Sequence, residues 1–311
     1  MRSITEASDL EGKRVLVRVD WNVPIQDGLV LDDFRIKKSL PTLEFLIKAG
    51  AKVIVATHLD QEAANVLPLK NYVPEGAELL ENLRLDPRER ANDPAFAQEL
   101  AFQADIFVNE AFASSHRSHT SIVGVPKLLP SYAGLNFVDE VDNLSRAFNP
   151  SRPFLVILGG AKFETKLPLV EKFSQIADKI FIAGAMAAKV SKVLLENSKI
   201  ILPVGDIAAL DADDKVIAQL EPMINEAKFI LWNGPLGKYE EGYREGTIKL
   251  AKLLAESGAE VIVGGANTLA AIKELNLFDK FTFVSTGGGA MLEFLATGTL
   301  PGIEALNASR T

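Results

Sequence analysis

The sequence predicts an α/β protein made of two doubly wound, Rossmann-like parallel-sheet domains joined by a helix. Short runs rich in β-branched residues alternate with helical patterns along both halves of the chain, which indicates parallel strands with crossover helices. The chain has 311 residues, a length that favours two domains over one. Hydrophobic residues make up 48% of it, which is enough to bury a core in each domain.

The elements are expected where the period of the apolar residues changes. In the first half, we expect strands at residues 13–19, 51–57, 77–80 and 106–108, with helices around 36–49 and 94–102. In the second half, we expect strands at residues 154–158, 179–183, 199–202, 229–232, 260–263 and 281–285. Each of these later strands precedes a glycine turn or a helical pattern, so the halves share one architecture.

Residues 132–149 separate the two halves. Leu135, Val138, Val141 and Leu144 recur at helical spacing, and the run ends at N-P-S-R-P, which is a stop signal. We interpret this stretch as the helix joining an N-terminal domain, residues 1–148, to a C-terminal domain, residues 149–298.

A glycine-rich loop at residues 285–290, S-T-G-G-G-A, joins a short strand to an apolar helical run. Glycines let the backbone approach an oxyanion, and the first N–H groups of the helix point at it with the helix dipole behind them. Three similar junctions lie at residues 159–162, 233–237 and 264–268. Because such turns share the carboxyl edge of a parallel sheet, they favour a polyphosphate ligand, although an unliganded turn is the simpler alternative for any one of them.

The glycine spacing excludes the two commonest nucleotide motifs, since no segment fits G-x-x-x-x-G-K-[ST] or G-x-G-x-x-G. A net charge of -8 and a pI near 5.1 disfavour nucleic acid and acidic membranes as partners. The absence of cysteine excludes disulfides, thiolate zinc sites and a cysteine nucleophile. With no signal-like start and no apolar run of about 18 residues, a cytoplasmic protein is expected.

Polar side chains follow the predicted strands of the first half. They could converge on one sheet edge, where arginine is suited to carboxylate and phosphate, or they could be ordinary surface charges. This set consists of Asp20, Asn22, Arg35, His58, Arg117 and, after the linker, Arg152. His116 and His119 have a spacing that could ligate a metal, but the chain has only three histidines, and we weigh this interpretation as the weaker one.

In order along the chain, these segments resemble the phosphoglycerate kinase family. The resemblance covers nearly the whole sequence, and the ordered succession of strings is more specific than any one of them. The strings are G-K-R-V-L-V-R-V-D-W-N-V-P at 12–24, D-D-F-R-I at 32–36, L-L-E-N-L-R at 79–84, V-N-E-A-F and H-R-S-H within 108–119, R-P-F-L-V-I-L-G-G-A-K at 152–162, W-N-G-P-L-G at 232–237, S-T-G-G-G-A at 285–290 and L-P-G at 300–302.

The resemblance implies phosphoryl transfer between ATP and 3-phosphoglycerate across a cleft, with Mg²⁺ carried by the nucleotide, in a monomer. It implies that the first domain holds the phosphoglycerate through Asp20, Asn22, Arg35, His58, Arg117 and Arg152. It implies a nucleotide site at Gly159, Lys162, Lys166, Gly234, Glu240, Gly265, Asn267 and Thr268. It assigns catalysis to Arg35, Lys166, Gly288 and Gly289, and it implies that residues 299–311 return to the first domain. No general base is needed, because the acceptor carboxylate is already ionised at neutral pH.

Two departures from the family pattern bear on activity. After His58-Leu59 the family has G-R-P, whereas this chain has Asp60 and a shortened stretch up to residue 79, so one substrate arginine is lost and a carboxylate is gained. Asn267 replaces the metal-associated aspartate of the family, and Mg²⁺ prefers anionic oxygen.

The nucleotide side differs as well. Ala183 and Ala185 stand where relatives have glycine, and the region between residues 190 and 229 is shortened, so adenine recognition is an open question.

Three hypotheses therefore remain at this point. The leading one is a compact phosphoglycerate kinase. The second is a paralogue that binds a phosphorylated ligand or a protein partner without catalysis, which the missing arginine and Asn267 favour. The third is a kinase for another small acid, which would follow from a reshaped acceptor pocket at residues 58–78.

Overall fold

The computed structural model describes residues 1–60, 65–190 and 196–309, and the altered positions 61–64 of the acceptor stretch lie outside them. The chain divides into two compact units. Unit 1 is Met1–Asp142 with Thr299–Thr311, and unit 2 is Asn143–Gly298. No helix of the described residues is both long and apolar enough to cross a membrane.

Unit 1 contains a five-stranded parallel sheet. Its strands are β1 (Arg14–Val19), β4 (Lys52–Ala56), β5 (Ala77–Leu79), β6 (Ile106–Glu110) and β7 (Ser131–Ala133), in the order β5-β4-β1-β6-β7. A separate antiparallel pair is formed by β2 (Ile25–Gln26) and β3 (Leu29–Val30). The helices of unit 1 are α1 (Phe34–Lys48), α2 (Arg88–Ala91), α3 (Pro94–Ala101), most of α4 (Leu135–Ser145) and the C-terminal α10 (Pro301–Asn307).

Unit 2 contains a six-stranded parallel sheet with the order β10-β9-β8-β11-β12-β13. These strands are β8 (Phe154–Leu158), β9 (Lys179–Ile182), β10 (Ile200–Ile201), β11 (Phe229–Asn233), β12 (Glu260–Gly264) and β13 (Phe283–Val284). Its helices are α5 (Phe163–Ile176), α6 (Asp214–Glu226), α7 (Glu245–Glu256), α8 (Ala266–Glu274) and α9 (Gly289–Thr297).

The central strands are buried on both faces, which explains their mainly apolar sequences. In β8 and β11 every residue is buried, and in β1 only the first residue is exposed. A parallel strand covered by helices on both sides needs no alternation of polar and apolar residues. The two doubly wound parallel sheets confirm the predicted fold class.

The strand order reverses direction once in each sheet. In unit 1 the chain moves outward from β1 to β5 and then returns to β6, so the direction reverses between β1 and β6. In unit 2 the same reversal lies between β8 and β11. At such a reversal the loops diverge above the carboxyl ends of neighbouring strands and leave a crevice.

The linker helix is shorter than predicted. Residues 131–133 form β7, where Tyr132 pairs with Val108 of β6, so the helix begins at Leu135 rather than at residue 132. The buried carboxylate of Glu110 accepts the backbone N–H groups of Asn136 and Phe137 at 3.1 Å each. These contacts satisfy orphan donors of the first turn and explain why the helix begins there.

The C-terminal helix α10 packs within unit 1. The backbone N–H of Gly302 donates to Ser115 O at 2.9 Å. A Cβ atom on Gly302 would lie 2.6 Å from Ser115 Cβ, so only glycine permits this approach.

Candidate functional site

The sequence-predicted polar residues of unit 1 meet at the reversal between β1 and β6. We call the group around them the basic cluster. Its members lie at or beyond the carboxyl ends of β1, β4, β5 and β6: Asp20, Asn22, Arg35, His58, Asp60, Arg84, Arg90 and Arg117.

Asp20, which follows β1, is the buried anion of the basic cluster. Its carboxylate accepts a hydrogen bond from Ser114 Oγ at 3.0 Å and lies 3.6 Å from Nη1 of Arg35. Burial alone would raise the pKa of Asp20, but Arg35, His58 and Arg18 outweigh it and lower the pKa to about 2. Asp20 is therefore ionised at neutral pH and anchors the guanidinium of Arg35.

His58 is held as a neutral hydrogen-bond donor. Nη2 of the buried Arg18 lies 2.9 Å from Nδ1 of His58. Because a guanidinium only donates, Nδ1 must accept and the proton must reside on Nε2. Burial and the charge of Arg18 lower the pKa of His58 to about 3, so the ring stays uncharged at neutral pH.

Arg18 itself is a fully buried cation that the sequence did not single out. Its Nε donates to Ser121 Oγ at 2.8 Å, and it also donates to Val19 O. Ser121 in turn donates to Glu89 Oε1 at 2.6 Å, and its backbone N–H donates to Glu89 Oε2 at 2.9 Å. A buried charge needs such partners, and the network fixes the guanidinium that orients His58.

Arg84 is the second site residue that the sequence did not single out. Its side chain is only 6% exposed, and its Nε lies 3.4 Å from Asp60 Oδ1. Within the described residues, its Nε and Nη2 are buried without a hydrogen-bond acceptor. Burial lowers the pKa of Arg84, with Arg90, Arg117 and Arg18 acting in the same direction. The sequence signal that could have identified Arg84 is its position at the end of L-L-E-N-L-R, shortly after the end of β5.

Arg117 belongs to the same cluster and is exposed, with Nε donating to His116 Nε2 at 3.3 Å. Burial lowers the pKa of His119 to about 4, helped by Arg84 and Arg117. The His pair is therefore embedded among cations, which disfavour a metal ion. In the described part of the chain, no group of three His, Asp or Glu side chains could hold one.

Arg152 does not lie in unit 1, where the other members of the predicted phosphoglycerate-binding set are found. It precedes β8 at the amino end of that strand, in unit 2. Its Nη1 donates to Asp178 Oδ1 at 2.5 Å and its Nη2 donates to Ile176 O at 2.8 Å. Through these two hydrogen bonds the guanidinium of Arg152 acts as a structural link. It lies at the edge of the sheet opposite the glycine turns.

The glycine turns of unit 2 meet at the reversal between β8 and β11. We call residues 159–162, 233–237, 264–268 and 285–290 the glycine cluster. Gly159 N donates to Asn233 O at 3.0 Å, and Gly160 N donates to Pro235 O at 2.8 Å. A Cβ atom on Gly159 would lie 2.0 Å from Pro235 O, so the turns touch backbone to backbone.

Lys166 lies beneath these turns and is the buried cation of unit 2. Its Nζ donates to Gly159 O at 2.6 Å and to Asn233 O at 3.1 Å. Burial lowers the pKa of Lys166 to about 8. The ammonium is thus held by two backbone carbonyls at the reversal of strand order.

The predicted nucleotide residues around α8 have distinct partners. Thr268 is fully buried, and its Oγ1 accepts the backbone N–H of Gly234 at 3.0 Å, so it holds a turn. Asn267 Nδ2 donates to Glu240 Oε1 at 3.4 Å. Gly265 has a φ of +102°, a conformation that favours glycine. Lys162, exposed, precedes α5.

The loop at residues 285–290 forms the N-terminal end of α9, as the sequence indicated. Gly288 precedes the helix with a φ of +52°, and Gly289 is its first residue. Asn233 Nδ2 contacts Met291 Sδ at 3.7 Å, which brings α9 against the end of β11. The first-turn N–H groups lack acceptors within the helix and suit an oxyanion.

A pocket adjoins the glycine cluster in unit 2. Ala183 and Gly184 follow β9 on one side of it, residues 203–213 form another side, and Leu236 and Val216 complete the lining. The lining is mainly apolar, which suits a flat heterocyclic base. The carboxylate of Asp211 accepts the N–H groups of Ala212 and Gly246, so it shapes the wall.

Comparison with known proteins gives a consistent result. A family model described as phosphoglycerate kinase matches residues 4–75, 62–199 and 194–298. The chain is 35% identical to the phosphoglycerate kinase of Leptospira biflexa, covering 97% of this chain and 98% of the relative. It is 36% identical to that of Thermus thermophilus, covering 98% and 100%.

Solved structures agree with the sequence matches. The phosphoglycerate kinase of Coxiella burnetii superposes with a TM-score of 0.86 at 30% identity, covering 98% of both chains. That of Pyrococcus horikoshii superposes with a TM-score of 0.86 at 26% identity, covering 99% of this chain and 98% of the other.

Proposed function

Because the chain belongs to the phosphoglycerate kinase family, we propose that it transfers the terminal phosphoryl group of ATP reversibly to the carboxylate group on 3-phosphoglycerate. The observation that carries this proposal is the presence in one chain of a basic cluster in unit 1 and of a buried lysine below a glycine cluster in unit 2. Both lie at reversals of strand order. Cations and backbone donors are what phosphoryl transfer requires, since the work is positioning and charge neutralisation.

The basic cluster would bind the phosphoglycerate. Arg84 and Arg117 offer guanidinium groups to its anionic oxygens, and Arg84 has buried donor atoms without acceptors among the described residues. Asp20 and Asn22 suit the hydroxyl group, and the Nε2–H of His58 suits an anionic oxygen. Burial of Arg84, Asp20 and His58 strengthens their interactions, because the local dielectric is low.

The glycine cluster would bind the nucleotide phosphates. The turns at Gly159, Gly234 and Gly265 approach one another closely, and Lys162 stands exposed beside them. The adjoining apolar pocket would take the base, and Glu240 would accept hydrogen bonds from the ribose hydroxyls. Thr268 would act by positioning Gly234 rather than by touching the ligand.

In the transfer step, a carboxylate oxygen of the acceptor attacks the terminal phosphorus of ATP while the bond to the ADP oxygen breaks. No proton moves, because the attacking group is already ionised and ADP leaves as an anion. Arg35 from unit 1 and Lys166 from unit 2 would neutralise the charge on the transferring group. The N–H groups at Gly288 and Gly289 would stabilise its oxygens.

Magnesium would accompany the nucleotide. Mg²⁺ usually takes only one or two protein ligands and otherwise binds phosphate oxygens and water. Asn267 would offer an amide oxygen to such an ion, and among the described residues no group of three His, Asp or Glu side chains forms a cage for it. When bound, the ion neutralises phosphate charge, and Asn267 would orient its shell. The chain would act as a monomer, since each cluster is built within one unit.

A coupled assay with ATP, Mg²⁺ and 3-phosphoglycerate tests this function. Lys166→Ala and Arg35→Ala should each lower kcat by at least about a hundredfold, because each removes a cation from the transferring group. Lys172→Ala, on the same helix as Lys166, and Lys37→Ala, on the same helix as Arg35, are the matched controls. Turnover unaffected by the first two substitutions would overturn the proposal.

The family assignment gives no support to the non-catalytic alternative. A kinase for another small acid remains testable in the same assay, by replacing 3-phosphoglycerate with unphosphorylated glycerate. Turnover with glycerate but not with 3-phosphoglycerate would favour that third function, because the phosphate would then have no role in acceptor binding.

A further inference from the structure

The carboxylate of Asp60 already lies where an anionic ligand of the basic cluster would bind. Its Oδ2 accepts a hydrogen bond from Asn22 Nδ2 at 2.9 Å, and its backbone N–H donates to Asn22 Oδ1 at 3.1 Å. Its Oδ1 lies 3.4 Å from Nε of Arg84 and 3.6 Å from Nη2 of Arg90. Its Oδ2 lies 3.8 Å from Nε2 of His58. Three of these four neighbours belong to the proposed acceptor site.

We propose that Asp60 is an internal counter-ion of the acceptor site, which an anionic acceptor must displace, so that this residue sets the affinity for phosphoglycerate. The proposal rests on the proposed function, which identifies the acceptor as 3-phosphoglycerate. It adds a residue for which the family pattern has glycine.

The burial of the groups indicates which of them moves. The side chain of Asp60 is 41% exposed, whereas those of Arg84 and His58 are 6% and 2% exposed. The carboxylate therefore has a path to solvent, while the guanidinium and the imidazole are fixed by their surroundings. An arriving phosphate or carboxylate would find the cations in place and repel Asp60 outward.

The same contacts predict an opposite effect on the empty protein. In addition to the effect of burial, Arg90 and Arg117 lie close enough to Arg84 to disfavour its charge by repulsion. Asp60 offsets this repulsion, so the empty site is more stable with it. Removing the carboxylate should therefore lower the folding stability of the unliganded protein and raise its affinity for the ligand. A purely structural residue would not produce this pair of effects.

Asp60→Asn, which removes the charge with little change of shape, tests the proposal against two controls. Asp60→Glu retains the charge at the same position. Asp105→Asn makes the same chemical change at the amino end of the same sheet, where Asp105 is 39% exposed and pairs with Arg14 at 2.9 Å. The measurements are the Kd for 3-phosphoglycerate by calorimetry, the KM for the same acid in the coupled assay, and Tm with and without the ligand.

For Asp60→Asn, we expect both Kd and KM for 3-phosphoglycerate to fall about five- to tenfold at low ionic strength, with the KM for ATP unchanged. The difference should shrink in high salt, because screening weakens the repulsion. The Tm of the empty protein should fall, and its rise on adding ligand should exceed that of the wild type. Asp60→Glu should keep the wild-type affinity, and Asp105→Asn should leave Kd unchanged.

The outcomes separate the counter-ion role from the proposed function. A Kd for Asp60→Asn equal to or above that of the wild type would overturn the role of Asp60, even with normal turnover. If Asp60→Asn bound 3-phosphoglycerate more tightly than the wild type but neither protein showed turnover, the proposed function would be overturned and the counter-ion role of Asp60 would be supported. If neither 3-phosphoglycerate nor inorganic phosphate bound to either protein, both proposals would be overturned.

Discussion

The basic cluster and the glycine cluster lie at equivalent places in two similar sheets, but they are built from different parts of the chain. In unit 1, long side chains from four strand ends converge, and their charges set the properties of the site. In unit 2, the backbone of several turns converges, and the buried Lys166 lies below. The basic cluster is therefore sensitive to substitutions that change its charge, and the glycine cluster to substitutions that add a Cβ atom to a glycine.

The difference follows from the ligands each cluster is proposed to hold. A small acceptor with charged ends and a hydroxyl group is distinguished from other acids by directed donors, which only side chains provide at chosen angles. A polyphosphate offers many equivalent oxygens, and backbone N–H groups at glycine turns meet them without demanding a particular side chain.

The largest expected effect is that of a methyl group in the glycine cluster. In Gly159→Ala the new Cβ would lie 2.0 Å from Pro235 O, and that atom is backbone and cannot turn away. We expect a loss of about 3 kcal/mol in the free energy of unfolding, measured by urea denaturation. Gly258→Ala is the control, because nothing lies within 4 Å of its Cβ. Equal stability of the two variants would contradict the backbone-contact description.

The next largest effect should come from a charge in the basic cluster. Arg84→Ala removes a guanidinium whose Nε and Nη2 are buried without a hydrogen-bond acceptor among the described residues. A charge-assisted hydrogen bond contributes about 1.5–3 kcal/mol, so kcat/KM for 3-phosphoglycerate should fall about ten- to a hundredfold. The KM for ATP should not change. Arg88→Ala, at a half-buried arginine paired with Asp86 and Glu99, is the control and should leave both constants unaltered. A change in the KM for ATP alone would instead assign nucleotide binding to the basic cluster.

The pH dependence of catalysis should distinguish the two clusters. Burial lowers the pKa of Lys166 to about 8, so the ammonium is lost as pH rises through that value. The turnover number should therefore decline above about pH 8, and Lys166→Arg should remove that decline, because arginine keeps its charge. Bound nucleotide phosphate will move the midpoint upward. A turnover number that stays flat to about pH 10 would argue against a charged Lys166 in the transfer step.

Acid stability should report on His58. Its folded pKa is about 3, below its ordinary value of 6.5, so the unfolded chain binds more protons between these two values. The stabilising contribution is complete above pH 6.5 and is lost as pH falls towards 3. His58→Gln should flatten this part of the stability curve relative to the wild type, as measured by urea midpoints. An unchanged slope would show that His58 is already charged in the folded protein.

The smallest expected effect concerns the metal. Asn267→Asp introduces an anionic oxygen beside Glu240 at the start of α8. The Mg²⁺ concentration for half-maximal rate should fall about threefold, because Mg²⁺ prefers carboxylate to amide oxygen. Asn276→Asp, beyond the end of the same helix, is the control. An unchanged or raised requirement would remove position 267 from the metal site.

Much of the architecture was predictable because it depends on local patterns. The runs at β1, β8 and β11 are mainly apolar, and this pattern identifies strands buried on both faces. The start of α4 was predicted wrongly, because Tyr132 precedes the helical run directly while its backbone pairs with β6. Tertiary pairing outweighs periodicity at such a boundary.

The site was only partly predictable, and the errors have a common cause. Asp20, Arg35 and His58 were identified from their places near strand ends, and the structure brings them together. Arg152 also follows a turn, but it stands at the amino end of its strand, and it pairs with Asp178. Arg84 and Arg18 were missed because the sequence alone does not show which arginines are buried.

The sequence by itself determined the fold class, the family and the positions of the glycine turns, because strand periodicity, glycine spacing and the order of motifs are properties of the chain. Only the tertiary structure decided which charges meet. It placed Asp60 against Arg84, fixed the proton of His58 through Arg18, and buried Lys166 between two carbonyls. These features depend on distance and burial between residues far apart in the chain, and the electrostatic energy of a group is set by its surroundings rather than by its position in the sequence.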